Sequence, residues 1–186
     1  MFWKTPIVLA TISLMKAQLI FALLALLFCL PATAQDSSLY VYGTIRDYST
    51  RDSLPYSQID IKEIFNGKKH SKVLANGRGR FEFYLERNRV YSASFSSEGR
   101  VAKSVEINLL NAPDSLWDDG GVAMNIEMTL FKEVPGISFS MLEQPIGKCK
   151  YDPATDQLAW DLAYTEKIKG ELEQLLKKYQ QAEEAK

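Results

Sequence analysis

Hydrophobic and polar residues alternate one by one through much of the chain. Val41, Gly43 and Ile45 alternate with Tyr42, Thr44 and Arg46, and Ile59 and Ile61 flank Asp60. Phe81, Phe83 and Leu85 alternate with Arg80, Glu82 and Tyr84, and Tyr91, Ala93 and Phe95 with Ser92 and Ser94. Val105 and Ile107 flank Glu106, and Ile126, Met128 and Leu130 alternate with Asn125, Glu127 and Thr129. A period of two turns one face to a core and the other to water, so these runs predict half-buried strands. Asn66-Gly67, Asn76-Gly77, Asn88 and Glu98-Gly99 stand between the runs, and Pro55 precedes the Ile59 run. Gly and Asn accept the backbone angles of tight reversals. Many short strands at turn intervals of about 8–12 residues predict a sandwich or barrel rather than βαβ units.

Beyond Phe131 the pattern changes. Lys148 to Asp161 reads as a small hairpin, turning at Asp152-Pro153-Ala154-Thr155-Asp156. Ile168, Leu172, Leu175 and Tyr179 then recur at four, three and four residues, which is one stripe of an amphipathic helix. Thr165 is the predicted N-cap, and Lys177-Lys178 suit the negative end of the helix dipole. An apolar stripe must be covered, either by the sandwich or by a partner, so these four residues are candidate partner contacts. The Asn111–Gly121 connection is acidic and Gly-rich and is expected on the surface. Trp117 within it, and Trp160 in the hairpin, are candidate glycan contacts, because an exposed indole can stack on a sugar ring.

The N-terminus sets the address. Leu19 to Leu30 is an unbroken apolar run, followed by Pro31 and Ala32-Thr33-Ala34. That is the core length and small-residue site of a secretory signal, and too short a run to span a bilayer comfortably. Met15-Lys16 would by itself open an ordinary signal, so Met15 is a second candidate start. Cleavage after Ala34 removes Cys29, which is preceded by Leu27 and Phe28, the Phe being too large for a lipoprotein site, and leaves Cys149 without a disulfide partner. The remaining length suits one domain held by its own core. The formal net charge of -1 creates no field for nucleic acid or anionic lipid.

The turn and strand residues carry a resemblance. They are Gly43-Thr44-Ile45-Arg46-Asp47, Pro55, Ile59-Asp60-Ile61, Ala75-Asn76-Gly77-Arg78-Gly79-Arg80-Phe81-Glu82-Phe83, and Tyr91-Ser92-Ala93-Ser94-Phe95 running to Gly99. In this order they resemble the carboxypeptidase regulatory-like domain, a transthyretin-like (prealbumin-like) β-sandwich, over about Tyr40 to Phe131. Arg100, where an aromatic often follows the glycine, and Asn76, near a common Asp, depart from it at turn or rim positions. The resemblance implies an exported or outer-membrane-associated protein of a Gram-negative bacterium and transfers no catalytic residue.

The expected fold is therefore mainly β: an antiparallel Ig-like or prealbumin-like sandwich, then a short hairpin and a C-terminal amphipathic helix. The expected divisions are a signal at 1–34, the sandwich at 38–132, an irregular linker with the hairpin at 133–163 and the helix at 164–183.

Chemistry is sparse. His70 is the only histidine, stands among Lys68, Lys69 and Lys72, and belongs to no H-E-x-x-H motif. Ser92, Ser94, Ser96 and Ser97 lack a nucleophile elbow, and Cys149 lacks a histidine partner. Asp114, Asp118 and Asp119 could offer oxygens to calcium but match no loop signature. No catalytic, cofactor-binding or metal residue is expected, no cofactor, and no enzymatic activity. The expected role is a structural or protein-interaction component of the cell envelope, whether periplasmic, outer-membrane-associated or secreted. Its expected partner is another envelope protein, with glycan binding through exposed aromatics as the alternative. Nucleic acid is not an expected partner, and the membrane is one only through an uncleaved signal. Export predicts a mature N-terminus at Gln35, readable by peptide mass spectrometry; a tryptic peptide spanning Ala34-Gln35 from the envelope fraction contradicts it.

Overall fold

The alternating runs pair as two sheets. The computed structural model describes residues 38–65, 69–118 and 122–184; the expected signal segment and the expected Asn66-Gly67 reversal lie outside the described residues. The chain forms β1 (Ser38–Asp47), β2 (Gln58–Glu63), β3 (Lys69–Leu74), β4 (Arg80–Glu86), β5 (Val90–Ser96) and β6 (Lys103–Asn108). A short helix α1 (Ser115–Asp118) precedes β7 (Val122–Leu130), and a 3-10 turn (Ser140–Glu143) precedes the hairpin β8 (Lys148–Asp152) and β9 (Gln157–Trp160). The long helix α2 (Leu162–Glu184) ends the fold. The sheet orders are β4-β1-β7 and β3-β2-β5-β6-β8-β9.

The fold is a β-sandwich followed by a C-terminal helix. Val41 and Ile45 of β1, Phe83 and Leu85 of β4, and Ile126 and Leu130 of β7 meet Ile59, Ile61, Phe95, Val105 and Ile107 of the larger sheet in one core. Fully burying a side chain of this size stabilises by roughly 1.5–3 kcal/mol, so the inward set dominates folding. Two pairings, β1 with β7 and β6 with β8, run parallel. Alternation predicts strands but not their direction. The hairpin is not an isolated excursion: β8 extends the larger sheet through Ile107 opposite Cys149. Gly43 permits the close β1–β7 approach, since a Cβ there would lie 1.9 Å from the Ile126 carbonyl oxygen. In the turn after β3 the left-handed residue is Gly79 (φ 69), and Asn76 Oδ1 accepts the backbone N–H groups of Arg78 and Arg80 at 2.9 and 3.1 Å.

Helix α2 starts three residues before Thr165. Asp161 Oδ1 accepts the N–H of Tyr164 at 3.1 Å, while the Thr165 hydroxyl donates to the Asp161 carbonyl at 3.1 Å inside the first turn. Asp161 is thus the cap, and Lys150 Nζ, 2.8 Å from its carboxylate, ties it to the hairpin. The helix docks on the chain itself. Leu175 and Tyr179 join Phe131, Val134 and Leu142 in a second apolar cluster at the end of the sandwich.

Among the described residues two charged side chains are buried, in opposite circumstances. Asp47, at the end of β1, accepts the N–H groups of Ser49 and Thr50 at 2.9 and 3.0 Å and pairs with Arg100 Nε at 2.7 Å. Burial opposes its ionisation, but the Thr50 and Ser49 amides and the Arg100 guanidinium together hold its carboxyl below the usual carboxylate range. Arg100, read from sequence as a rim departure, is therefore what joins the end of β1 to the β5–β6 turn. Lys103 has no carboxylate partner among the described residues; its ammonium lies 3.8 Å over the Phe131 ring, and burial pushes it down to about 8.

The two sites predict opposite responses. Asp47→Asn should lose about 2 kcal/mol at pH 7, the scale of a charge-assisted hydrogen bond removed from a buried site. Asp47 is ionised more readily when folded, so its contribution is present above the unfolded pKa of about 3.9 and fades as pH falls below it. Denaturant titrations of both proteins should therefore converge below about pH 4. Lys103→Met should gain about 1 kcal/mol at pH 7, because partial desolvation of an ammonium without an ion-pair partner is costly. Between pH 8 and about 10.4 the unfolded wild type holds the extra proton, so wild-type stability should rise with pH there while that of Lys103→Met stays flat.

Candidate functional site

The outer face of the three-stranded sheet carries the most organised exposed cluster. Because side chains alternate, Tyr40, Tyr42 and Thr44 of β1 stand on it, with Arg80, Glu82 and Tyr84 of β4 and Asn125 and Glu127 of β7. Register places Tyr40 opposite Tyr84, Tyr42 opposite Glu82 and Thr44 opposite Glu127. The Tyr40 ring stacks on Tyr42 with centroids 5.4 Å apart and lies 5.1 Å from Tyr84. These are favourable aromatic separations, so the three rings form one platform. Tyr42 and Tyr84 remain 40% and 64% exposed.

Polar groups on the platform are held in place. The Tyr40 hydroxyl donates to Glu82 Oε2 at 2.6 Å, and this bond, with smaller help from burial and the carboxylate's charge, raises the phenol to about 12. The phenol therefore stays protonated at physiological pH and fixes the carboxylate beside the rings. Thr44 Oγ1 donates to Glu127. A cleft of about 380 Å³ opens where Tyr40, Tyr42, Arg80 and Glu82 meet Leu74 and Asn76. Aromatic faces carry negative charge that attracts C–H groups, and the adjoining carboxylates and Arg80 can bond hydroxyls. Such a surface suits a ring with one apolar face and a polar rim.

The sequence-derived candidates are placed differently. Trp117 is a correction: it is 3% exposed, belongs to the main core, and its indole N–H has no partner among the described residues. The four-residue helix α1 turns it inward, although the flanking segment is acidic. Trp160 is 39% exposed and lies against Gly147, at the rim of a separate cleft. For the helix stripe the structure decides between the two expected covers. Ile168, Leu175 and Tyr179 are buried and Leu172 is partly buried, so the stripe is covered within the fold and presents no free partner surface. Cys149 is buried and its thiol is pushed up to about 12 by desolvation, so it is not an activated nucleophile. Asp114 pairs with Arg87 at 2.7 Å; Asp119 and the side chain of His70 lie outside the described residues. The tyrosines were not singled out, although the alternation that predicts β1 and β4 already assigns Tyr40, Tyr42 and Tyr84 to the wet faces.

No family model matches the chain, and no curated protein matches it. Solved structures do. The TIE protein of Bacillus anthracis is similar at TM-score 0.41 and 16% identity, over 52% of this chain and 18% of that one. Catechol 1,2-dioxygenase from Acinetobacter sp. ADP1 is similar at TM-score 0.38 and 12% identity, over 57% of this chain and 56% of that one. Chlorocatechol 1,2-dioxygenase from Pseudomonas putida is similar at TM-score 0.37 and 12% identity, over 52% of this chain and 61% of that one. The chain thus spans less than two thirds of each, and likeness at this level transfers no activity, ligand or partner. One expectation is corrected: the exclusion of enzymatic activity does not stand, since missing linear motifs and a β-sandwich fold do not decide chemistry.

Proposed function

We propose that this chain is an exported β-sandwich binding module of the bacterial envelope that takes a glycan on the tyrosine platform. The single observation that carries the reading is the exposed Tyr40–Tyr42–Tyr84 stack with Glu82 locked beside it. Three features favour recognition by this face. The rings sit on strands rather than loops, so little order is lost on binding. The face offers both stacking surface and fixed hydrogen-bonding groups. The signal-like N-terminus and the resemblance to carboxypeptidase regulatory-like domains support an address where glycans abound.

A second reading, contact with another envelope protein, has its own observation. Ile64 and Phe65, after β2, are 42% and 73% exposed, and large apolar side chains at such a tip favour a protein surface.

A glycan array probed with the chain from Gln35 tests the first reading. Binding is expected, with Tyr84→Ala and Tyr42→Ala each weakening it by about tenfold, the scale of one lost aromatic stack. Binding that survives both substitutions, or no glycan binding at all, contradicts it. Envelope cross-linking lost in Phe65→Ser but kept in Tyr84→Ala would instead favour the protein contact.

A further inference from the structure

A second cleft lies on the larger sheet, away from the tyrosine platform. It has a volume of about 550 Å³, within the range of small-molecule sites, and runs between the start of β6 and the Ser138–Glu143 segment. Ser94, Ser104 and Ser140 contribute hydroxyls to its lining, and Phe139 and Leu142 contribute apolar surface. Lys103 lines it too.

Lys103 is the feature that ordinary folding does not explain. The residue is only 6% exposed, and its ammonium, which has no ion-pair partner among the described residues, keeps its solvent contact where it lines the cleft. The ammonium rests 3.8 Å above Phe131, and Phe131 stacks on Phe139, a wall of the cleft, with centroids 6.0 Å apart. Contact with an aromatic face offsets part of the cost of burying a cation, but an ammonium has three N–H donors and a ring face answers only one side of it. The donors that the ring does not answer are open to an acceptor that enters the cleft.

We infer that this cleft binds a small organic monocarboxylate, with Lys103 as the charge partner and the serine hydroxyls as further donors. A carboxylate accepts charge-assisted bonds from an ammonium and from hydroxyls together. The apolar wall of Phe139 and Leu142 suits an aryl or alkyl body. Glu143, the one carboxylate lining the cleft, disfavours ligands of higher negative charge, which selects a monoanion over a phosphate. This inference is independent of the glycan reading, since it concerns a different sheet and different residues.

Benzoate is the probe. In a titration of the chain from Gln35 followed by amide NMR, benzoate should cause saturable shifts in residues 101–104 and 138–143. Lys103→Met should weaken benzoate by at least about tenfold, the loss of one charge-assisted contact. Circular dichroism and thermal melting of that variant check that its fold is kept. Glu143→Gln leaves the lysine in place and should tighten benzoate about twofold to threefold by removing a like charge. Benzyl alcohol, of similar shape without charge, and inorganic phosphate should both bind more weakly than benzoate. The inference is overturned by an absence of saturable shifts in these two segments, by equal affinity in folded Lys103→Met, or by weaker binding in Glu143→Gln.

Discussion

The burial of Tyr179 is the contact on which the rest of the arrangement depends. Its ring meets Phe131 at 4.9 Å, Tyr48 at 5.7 Å and Phe139 at 6.2 Å between centroids. Its hydroxyl accepts the Lys132 N–H at 3.2 Å and donates to Glu183 at 3.1 Å. One side chain thus ties together the turn after β1, the end of β7, the segment before the 3-10 turn and the last turns of α2. An amphipathic helix left uncovered would need a partner; this one is answered from within. The chain beyond Phe131 is consequently part of the folded body.

That closure decides which surfaces are left to bind. With the helix stripe covered and Trp117 in the core, the exposed aromatics among the described residues lie on the outer face of the three-stranded sheet, at the β2 tip, at Tyr56 before β2 and at Trp160. The platform is rigid for the same reason that the core is: each outward tyrosine alternates with an inward Val41, Phe83 or Leu85 that fixes its strand. The two buried charges show the same economy differently. Asp47 is answered by two amides and a guanidinium and serves the fold, whereas Lys103 rests on a ring and faces the cleft.

What could be read from the residues follows from which properties are local. A period of two is local, so β1, β2, β4, β5, β6 and β7 were legible from their alternation. Strand direction depends on where distant segments meet, so the parallel β1–β7 and β6–β8 pairings were not. The stripe from Ile168 to Tyr179 was legible as something to be covered, but a stripe carries no address for its cover; Phe131 and Leu142 supply it. Thr165 looked like a cap because it precedes an acidic turn. Asp161 wins because its carboxylate reaches the Tyr164 amide and is itself held by Lys150. Trp117 was misplaced because the acidic residues around it describe the loop's outside. The exclusion of enzymatic activity rested on missing motifs, and motifs test only chemistries that are already known as linear patterns.

Thermal unfolding of Tyr179→Ala tests the closure most directly. Removing a buried aromatic of this size is expected to cost about 3–5 kcal/mol, which for a domain of this length lowers Tm by roughly 10 °C, with one cooperative transition lost earlier on heating. An unchanged Tm, or a melt in which the helix signal is lost first while the sheets hold their wild-type midpoint, would show that the helix is an appendage and contradict the closure.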